Sequence, residues 1–341
     1  MDKKTRKVAG IELFAGGGGL ALGLEKAGIQ TLAAVEVDCN ACDTLRYNRP
    51  DWNVIEADIQ SVDFSGYKGK VDIVSGGPPC QAFSYAGKKL GFGDIRGTLF
   101  SEFVRCVKEV SPEMFLFENV RGLLSHDKGR TFATIVHSFE ELGYIVQYKI
   151  LNACFFGVGQ KRERLLMIGI RNDLKDKIHF LYPVPDKTWT TLKEALKDCP
   201  SSEGVKYSEN KRRVMALIPP GGCWIDLPND IAKEYMGKSY YSGGGRRGMA
   251  RRISWDEPCL TLTTSPSQKQ TERCHPDETR PFTVREYARI QSFPDDWVFQ
   301  GTISEQYKQI GNAVPVELAR RIGTQIVKAI SEKREKYGME N

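Results

Sequence analysis

Residues 8–28 read VAGIELFAGGGGLALGLEKAG, and their reading decides the fold. Val8–Phe14 is an apolar run of the length a buried strand takes. Gly19–Ala27 then spaces its apolar side chains along one helical face and stops at Gly28, the residue best suited to the left-handed turn that ends helices. A buried strand passing through a glycine-rich turn straight into a helix is how a parallel α/β sheet begins. The rhythm continues. Strands are expected at Thr31–Val37, Val71–Ser75, Glu113–Phe117, Tyr144–Leu151 and Leu165–Ile170, with a shorter one ahead of Asp58, and helices at Leu99–Val110 and Thr131–Leu142. This alternation predicts βαβ units in a largely parallel, doubly wound sheet, which binds ligands beyond the carboxyl ends of its strands.

Past Arg171 the rhythm decays. Pro183, Pro185, Pro200, Pro219, Pro220 and the Gly243–Gly245 run punctuate the chain, and only short β-like stretches such as Pro258–Thr264 remain. A smaller, irregular second domain is expected here. Helical pattern returns behind a Thr283 cap with Glu286 three residues on, and a final helix runs from Val316 to about Lys333. The 341 residues accommodate two domains at roughly 150 residues each. With 40% hydrophobic and 27% charged residues, the composition excludes a disordered, collagen-like or small disulfide-stapled chain. No segment reaches the run of about 18 apolar residues that a membrane span needs. The basic start, Met1–Lys7, leads into glycines rather than a signal peptide. Nine cysteines without repeating spacing fit reduced thiols in a cytoplasm. Cys39 and Cys42 share a predicted helix with no second pair nearby, so no metal is expected. Trp224, Trp255 and Trp297 read as packing residues. The net charge of +6 permits a polyanionic partner, and residues 243–252 hold Arg246, Arg247, Arg251 and Arg252 with no acid among them, a loop suited to phosphate or base contact.

Four groups of residues carry chemistry. Phe14-Ala15-Gly16-Gly17-Gly18-Gly19 would let the backbone approach a ligand at a helix start. Glu36, 20 residues after Gly16, stands where an acid grips the two hydroxyls of a ribose, and Asp58 could take an adenine amino group. The turn departs from the full dinucleotide fingerprint, which disfavours a dinucleotide. Gly76-Gly77-Pro78-Pro79-Cys80-Gln81 places a cysteine on a proline-stiffened loop at the end of a central strand, the position of a nucleophile. Phe117-Glu118-Asn119-Val120 ends the next strand with a carboxyl whose desolvation would favour a proton available to a ring nitrogen. Gln160-Lys161-Arg162-Glu163-Arg164 would put Arg162 and Arg164 on one face of a strand.

In this order, the four groups resemble the cytosine-C5 DNA methyltransferases of bacterial or phage modification type, and the resemblance runs from end to end. Phe14-Ala15-Gly16-x-Gly18-Gly19 resembles the family's S-adenosylmethionine turn, and Gly77-Pro78-Pro79-Cys80-Gln81 its nucleophile loop. Asp94-x-Arg96-Gly97-x-Leu99-Phe100 is similar to the following cofactor segment. Glu118-Asn119-Val120 and the Gln160–Arg164 run are similar to its two base-handling motifs. Arg280-x-x-Thr283-Val284-Arg285-Glu286 with Phe293-Pro294 resembles the segment that organises the target domain. Gln309-Ile310-Gly311-Asn312-Ala313-Val314-Pro315 resembles the last motif, which returns to the cofactor.

The resemblance implies a Rossmann-like S-adenosylmethionine-dependent domain over 1–180, completed by 305–341, a target-recognition domain over 181–283 and a hinge over 284–304. Phe14 would stack on the adenine, with Ala15, Gly16, Gly18, Gly19 and Leu20 shaping the turn. Glu36 would hold the ribose. Val37 follows it where the family usually has an aromatic or bulky residue. Asp58 and Ile59 would meet the adenine edge, and Gly77, Pro79, Leu99, Asn312, Ala313 and Val314 would line the rest. Cys80 would attack C6 of a flipped cytosine, with Glu118 serving N3, Arg164 serving O2 and Asn119 holding the loop, and Arg162 is a further candidate catalytic residue. Gln81 and Ser84 would face the DNA, and Arg246, Arg247, Arg251, Arg252, Ser267, Gln268, Lys269, Gln270 and Arg273 are the candidate contacts of the target domain. The implied partner is double-stranded DNA, for a cytoplasmic monomer whose site a restriction endonuclease would share without binding it. Three other readings stay open: a transfer-RNA methyltransferase, whose Cys-Phe-Thr signature is absent, a non-catalytic homologue, and a nicotinamide-dependent oxidoreductase.

Overall fold

A computed structural model describes residues 6–79, 99–241 and 248–338. They pack as two units, one built from Met1–Asn152, Glu163–Val184 and Leu318–Asn341, the other from Ala153–Arg162 and Pro185–Glu317. Among the described residues no helix is long and apolar enough to cross a membrane.

The first unit is built on β1 (Ala9–Leu13), β2 (Gln30–Glu36), β3 (Val54–Glu56), β4 (Ile73–Gly76), β5 (Met114–Val120), β6 (Tyr144–Asn152) and β8 (Glu163–Arg171), while the two-residue β7 (Gln160–Lys161) lies in the second. The seven strands of the sheet run in the order β3-β2-β1-β4-β5-β8-β6. β1 to β5 pair in parallel. β8 departs from the expected parallel pattern, being antiparallel to both β5 and β6. The connection across 153–162 contains only a short 3₁₀ turn and β7, whereas a parallel return needs a crossover of about a dozen residues or more, usually a helix. The chain direction therefore reverses. Between β1 and β4 the strand order also reverses, which opens a crevice at their carboxyl ends.

One face of the sheet is covered by α3 (Leu99–Val110) and α4 (Arg130–Glu141), while α1 (Gly19–Lys26) and α2 (Cys39–Asn48) follow the first two strands. In α3 the buried Phe100, Phe103, Cys106, Val107 and Val110 recur at helical spacing. Their rings meet those of the strands: Phe103 packs edge-on to Phe117 at 5.4 Å, and Phe115 stacks on Phe139 at 4.1 Å. Ile11, Leu13, Val74, Phe115 and Phe117 belong to this core. By strand alternation, Glu12, Ser75, Leu116 and Glu118 project from the other face.

The second unit is mostly loop and short helix, with α5 (Leu192–Ala195), α6 (Glu209–Ala216), α7 (Asn229–Met236), α8 (Val284–Ile290) and α9 (Ile303–Asn312). Of the expected β-like run Pro258–Thr264 only β9 (Cys259–Leu260) forms, parallel to β7. The Thr283 cap is a full capping box with Glu286. The closing helix, α10 (Val316–Tyr337), returns to the sheet of the first unit. Its Gly323 faces Leu24 and Ala27 of α1, its Lys333 pairs with Glu113 at 2.8 Å, and its Arg334 pairs with Asp72 at 2.5 Å.

Phe115 lies directly over Gly169 of the neighbouring strand, so that an added Cβ would enter its ring. Gly169→Ala overpacks the stacked cluster, and denaturant titration should find it about 1–3 kcal/mol less stable. Unchanged stability would show that the ring moves aside freely.

Candidate active site

The chain leaves β1 through a turn that needs left-handed backbone at Phe14 (φ 57°), Gly16 (φ 54°) and Gly18 (φ 87°), and glycine adopts this at two of the three positions without a side-chain penalty. Gly18 caps α1 without a side-chain hydrogen bond, and the first helical turn holds no acid. Beside the turn, Glu36 ends β2. Its Oε2 accepts Gly16 N–H at 2.7 Å, and its Oε1 accepts Val37 and Asp38 N–H at 2.9 Å each. Three backbone donors therefore hold this carboxylate at the mouth of the crevice. Val37 next to it is 69% exposed. Phe14 and Leu99 are half-buried against the core, and Ala15, Gly19 and Leu20 are buried. Asp58 is exposed and caps a short 3₁₀ turn through Gln60 N–H, while Ile59 is buried.

At the carboxyl ends of β4 and β5 lies a second constellation. Glu118, 8% exposed, receives Arg164 Nε at Oε1, 2.7 Å away. Its Oε2 lies over Gly77, where an added Cβ would stand 2.5 Å from it, so only glycine leaves room for the carboxyl. Asn119, buried beside it, donates Nδ2–H to Pro78 O at 3.0 Å and accepts Val120 N–H at Oδ1. The two prolines thus leave the sheet with one carbonyl held, and Pro79 is exposed. Cys80, Gln81 and Ser84 lie outside the described residues. The arrangement can hold an acid and a guanidinium together, out of water, beside Gly77, three residues before Cys80 in the sequence.

The family model for C-5 cytosine-specific DNA methylases matches residues 8–328. The chain belongs to this family. It is 59% identical over 325 residues to the Type II methyltransferase M.Eco47II of Escherichia coli, covering 93% of this chain and 78% of that protein. It is 57% identical over 337 residues to M.Sau96I of Staphylococcus aureus, covering 97% and 78%. Among solved structures, a protein described as a DNA modification methyltransferase encoded within an E. coli prophage matches with a TM-score of 0.70 at 26% identity, covering 95% of this chain and 99% of that one. The protein is therefore an enzyme, a DNA (cytosine-5-)-methyltransferase with a mixed α/β fold.

In this methylase the run Gln160–Arg164 is not one strand face. β7 ends at Lys161 and β8 begins at Glu163, so Arg162 and Arg164 fall in different units. Arg162 is buried in the second unit, donating to Leu262 O at 3.1 Å and Gly311 O at 2.9 Å. Gln160 joins it, donating to Gln291 Oε1 and accepting Leu262 N–H. Both side chains tie the start of the second unit to Leu262, Gln291 and α9, which corrects the expectation that Arg162 and Arg164 lie on one face of a strand. Asn312 is exposed at the end of α9, with Ala313 and Val314 buried.

Two candidate DNA contacts are also corrected. Arg252 is buried, and its guanidinium donates to the carbonyls of Ile218, Met215, His275, Pro276 and Glu278 and to Thr279 Oγ1. Arg273 is buried, donating to Gly248 O, Glu272 O and Thr261 O. With their terminal nitrogens engaged inside the protein, both are internal struts. Arg251 is half-buried, Ser267 is half-buried, and Gln268, Lys269 and Gln270 are exposed. Arg246 and Arg247 lie outside the described residues. Trp297 is buried, Trp224 packs on a small cluster around Met215 and Ile218, and Trp255 donates to Asp277.

One acid escaped the sequence reading. Glu12 sits in the middle of β1, 3% exposed, in register with Ser75. Ser75 Oγ contacts both Glu12 Oε2 and Ile11 O. One hydroxyl proton cannot serve two acceptors, so a protonated Glu12 completes the chain by donating to Ser75. Burial pushes its carboxyl up to about 8, the Ser75 hydroxyl acts in the opposite direction, and the Glu118 charge adds to the rise. The signal was present as a lone acid within an otherwise apolar strand.

A carboxyl that titrates at about 8 when folded, against 4.5 when free, contributes stability that is complete below the lower value and lost as pH rises through the upper one. At about 1.4 kcal/mol per unit, the loss amounts to a few kcal/mol. Glu12→Gln keeps the hydrogen-bonding shape and removes the titration. Its melting temperature should gain on wild type steadily from about pH 5 to pH 8 and then run parallel. A gap constant across that range would show that Glu12 does not hold its proton on folding.

Proposed function

We propose that this methylase transfers a methyl group from S-adenosylmethionine to C5 of a cytosine flipped out of a short, specific double-stranded DNA sequence, through a covalent bond between Cys80 and C6. The observation that carries the reading is the buried Glu118–Arg164 pair over Gly77, three residues before Cys80 in the sequence. The cofactor fits the turn. Glu36 is a pure acceptor fixed by three N–H groups, as a ribose diol requires, and Val37 and Asp58 are exposed beside it for an adenine. When bound, S-adenosylmethionine supplies an electrophilic methyl on a sulfonium sulfur. No metal is needed for this chemistry.

The residues divide the remaining work. C5 of cytosine is a poor nucleophile. Addition of the Cys80 thiolate to C6 moves the ring's π electrons to C5, which can then accept the methyl. Glu118 supports proton density at N3 as charge builds there, and Arg164 donates to O2 while orienting Glu118. Loss of the C5 proton to solvent returns the electrons to the ring and expels the thiolate. Asn119 holds the Pro78 carbonyl and with it the approach of Cys80. Because stacking hides C6, the base must leave the duplex.

Residues 181–283 act as the target domain, with 284–304 as its hinge; of the stretch 305–341 expected to complete the catalytic domain, 318–341 packs with the first unit and 305–317 with the second. Arg246, Arg247, Arg251, Gln268, Lys269 and Gln270 contact DNA there, arginine suiting guanine and glutamine adenine. Gln81 and Ser84 meet the DNA from the nucleophile loop. Asn312, Ala313 and Val314 close on the cofactor. The enzyme acts as a cytoplasmic monomer, and a restriction endonuclease, where one accompanies it, reads the same site without being bound to it.

Incubation with tritiated S-adenosylmethionine and unmethylated genomic DNA, followed by bisulfite sequencing, should reveal one short motif methylated throughout. Cys80→Ser should abolish label transfer, a loss of more than a thousandfold, while S-adenosylhomocysteine still raises its melting temperature. Label in transfer RNA but not DNA would move the substrate to RNA, and wild-type turnover in Cys80→Ser would remove the nucleophile.

A further inference from the structure

The second unit contains a charged cluster that the methyl-transfer chemistry does not use. Glu272 has no exposed surface, yet it is an acid. Lys211 of α6 forms an ion pair with its Oε1, and Tyr235 of α7 donates its hydroxyl to Oε2 at 2.7 Å. Lys211 Nζ also donates to Ser267 O at 2.5 Å and stands 5.2 Å over the Tyr207 ring. Lys269 extends back to lie 4.9 Å over the Tyr235 ring. These contacts grip one loop from two helices. Inside that loop, Thr271 N–H donates to Gln268 O at 3.0 Å, and the hydroxyls of Thr271 and Thr263 meet at 3.1 Å. Arg273 ties the following residue to Gly248 and Thr261. Between these anchors Gln268, Lys269 and Gln270 stand exposed.

We infer that Glu272, with Lys211 and Tyr235, is a specificity-determining positioning cluster that fixes the 267–271 loop so that Gln268 and Gln270 meet the edges of particular bases. The inference rests on the reading of 181–283 as the target domain. Its physical ground is a comparison of costs. A buried ion pair is commonly matched or exceeded in stability by apolar residues of similar volume, so stability alone does not account for an acid and a lysine at this depth. Directional contacts do what apolar packing cannot. The carboxyl joins two helices through opposite oxygens, and the lysine passes the constraint to the Ser267 carbonyl, one residue before Gln268. Burial, reinforced by the charge of Lys269, makes Lys211 give up its proton more readily, and its ammonium is paired with the Glu272 carboxylate. Base readout by amide side chains requires two hydrogen bonds at fixed spacing, and a loop free to slide would lose that spacing first.

The test uses the full-length enzyme, tritiated S-adenosylmethionine and unmethylated genomic DNA, with bisulfite sequencing to score methylation at the preferred motif and at its single-mismatch neighbours. Glu272→Gln keeps the shape and removes the charge. It should lower the ratio of cognate to mismatched methylation roughly tenfold and raise KM for DNA more than it lowers kcat, with S-adenosylhomocysteine binding unchanged. Tyr235→Phe should move the same ratio in the same direction, and it decides the matter if Glu272→Gln does not fold. The double variant Lys211→Met with Glu272→Met separates positioning from packing. If it melts as wild type but discriminates poorly, the cluster positions the loop. If it discriminates as wild type, or if Glu272→Gln lowers only the melting temperature, the cluster is structural and the inference fails. Absence of any DNA methylation by wild type would instead overturn the functional reading on which it rests.

Discussion

A carboxylate buried beneath a loop must have a partner, and in this methylase the partner of Glu118 comes from the neighbouring strand running the other way. Glu118 lies near the carboxyl end of β5, and Arg164 near the amino end of β8. In the antiparallel register Glu118 faces Leu166 and Val120 faces Arg164, so the two charged residues lie on one face as diagonal neighbours. Had β8 returned in parallel, Arg164 would have started at the far end of the sheet. Removing one member of such a pair commonly costs about 3–5 kcal/mol, because the other charge is left uncompensated. The direction of one strand therefore decides whether an acid can be kept in the crevice at all.

The two ends of the sheet carry different duties. At the carboxyl ends of β1, β2, β4 and β5 stand the glycine turn, Glu36, Gly77 and the Glu118–Arg164 pair, where backbone and charge face the crevice. At the opposite end Asp72 receives Arg6 from the amino terminus and Arg334 from α10, and Glu113 receives Lys333. These ion pairs hold Arg6 and the closing helix onto the sheet. Glu12 lies between the two regions, and its raised proton affinity reflects burial in the sheet first and the charge of Glu118 after it.

In the second unit basic residues do opposite things. Arg252 and Arg273 use their guanidinium groups on main-chain carbonyls in an element that has few strands to satisfy its backbone. Such a unit lacks the ladders that pair carbonyls elsewhere, and arginine, with five donors in a fixed fork, is the side chain able to replace them. Lys269, two residues from a buried segment, stays at the surface. Sequence distance between a strut and a surface cation is small, and the difference is one of burial.

The sequence by itself determined the alternation of strand and helix, the glycine turn, the Thr283 capping box, and the residue order that identifies the family, because each depends on local spacing or on a short pattern. Glu36, Glu118 and Asn119 were legible for the same reason, being the residues that end strands whose apolar runs are plain. Only the tertiary structure decided the direction of β8, the separation of Arg162 from Arg164, the burial of Arg252 and Arg273, and the presence of Glu12 and Glu272 as buried acids. Strand direction depends on what fills 153–162, and burial on which distant segments pack over a side chain. The first turns on a ten-residue connection that forms no crossover helix, and the second on contacts between residues far apart in the chain, which no local pattern records.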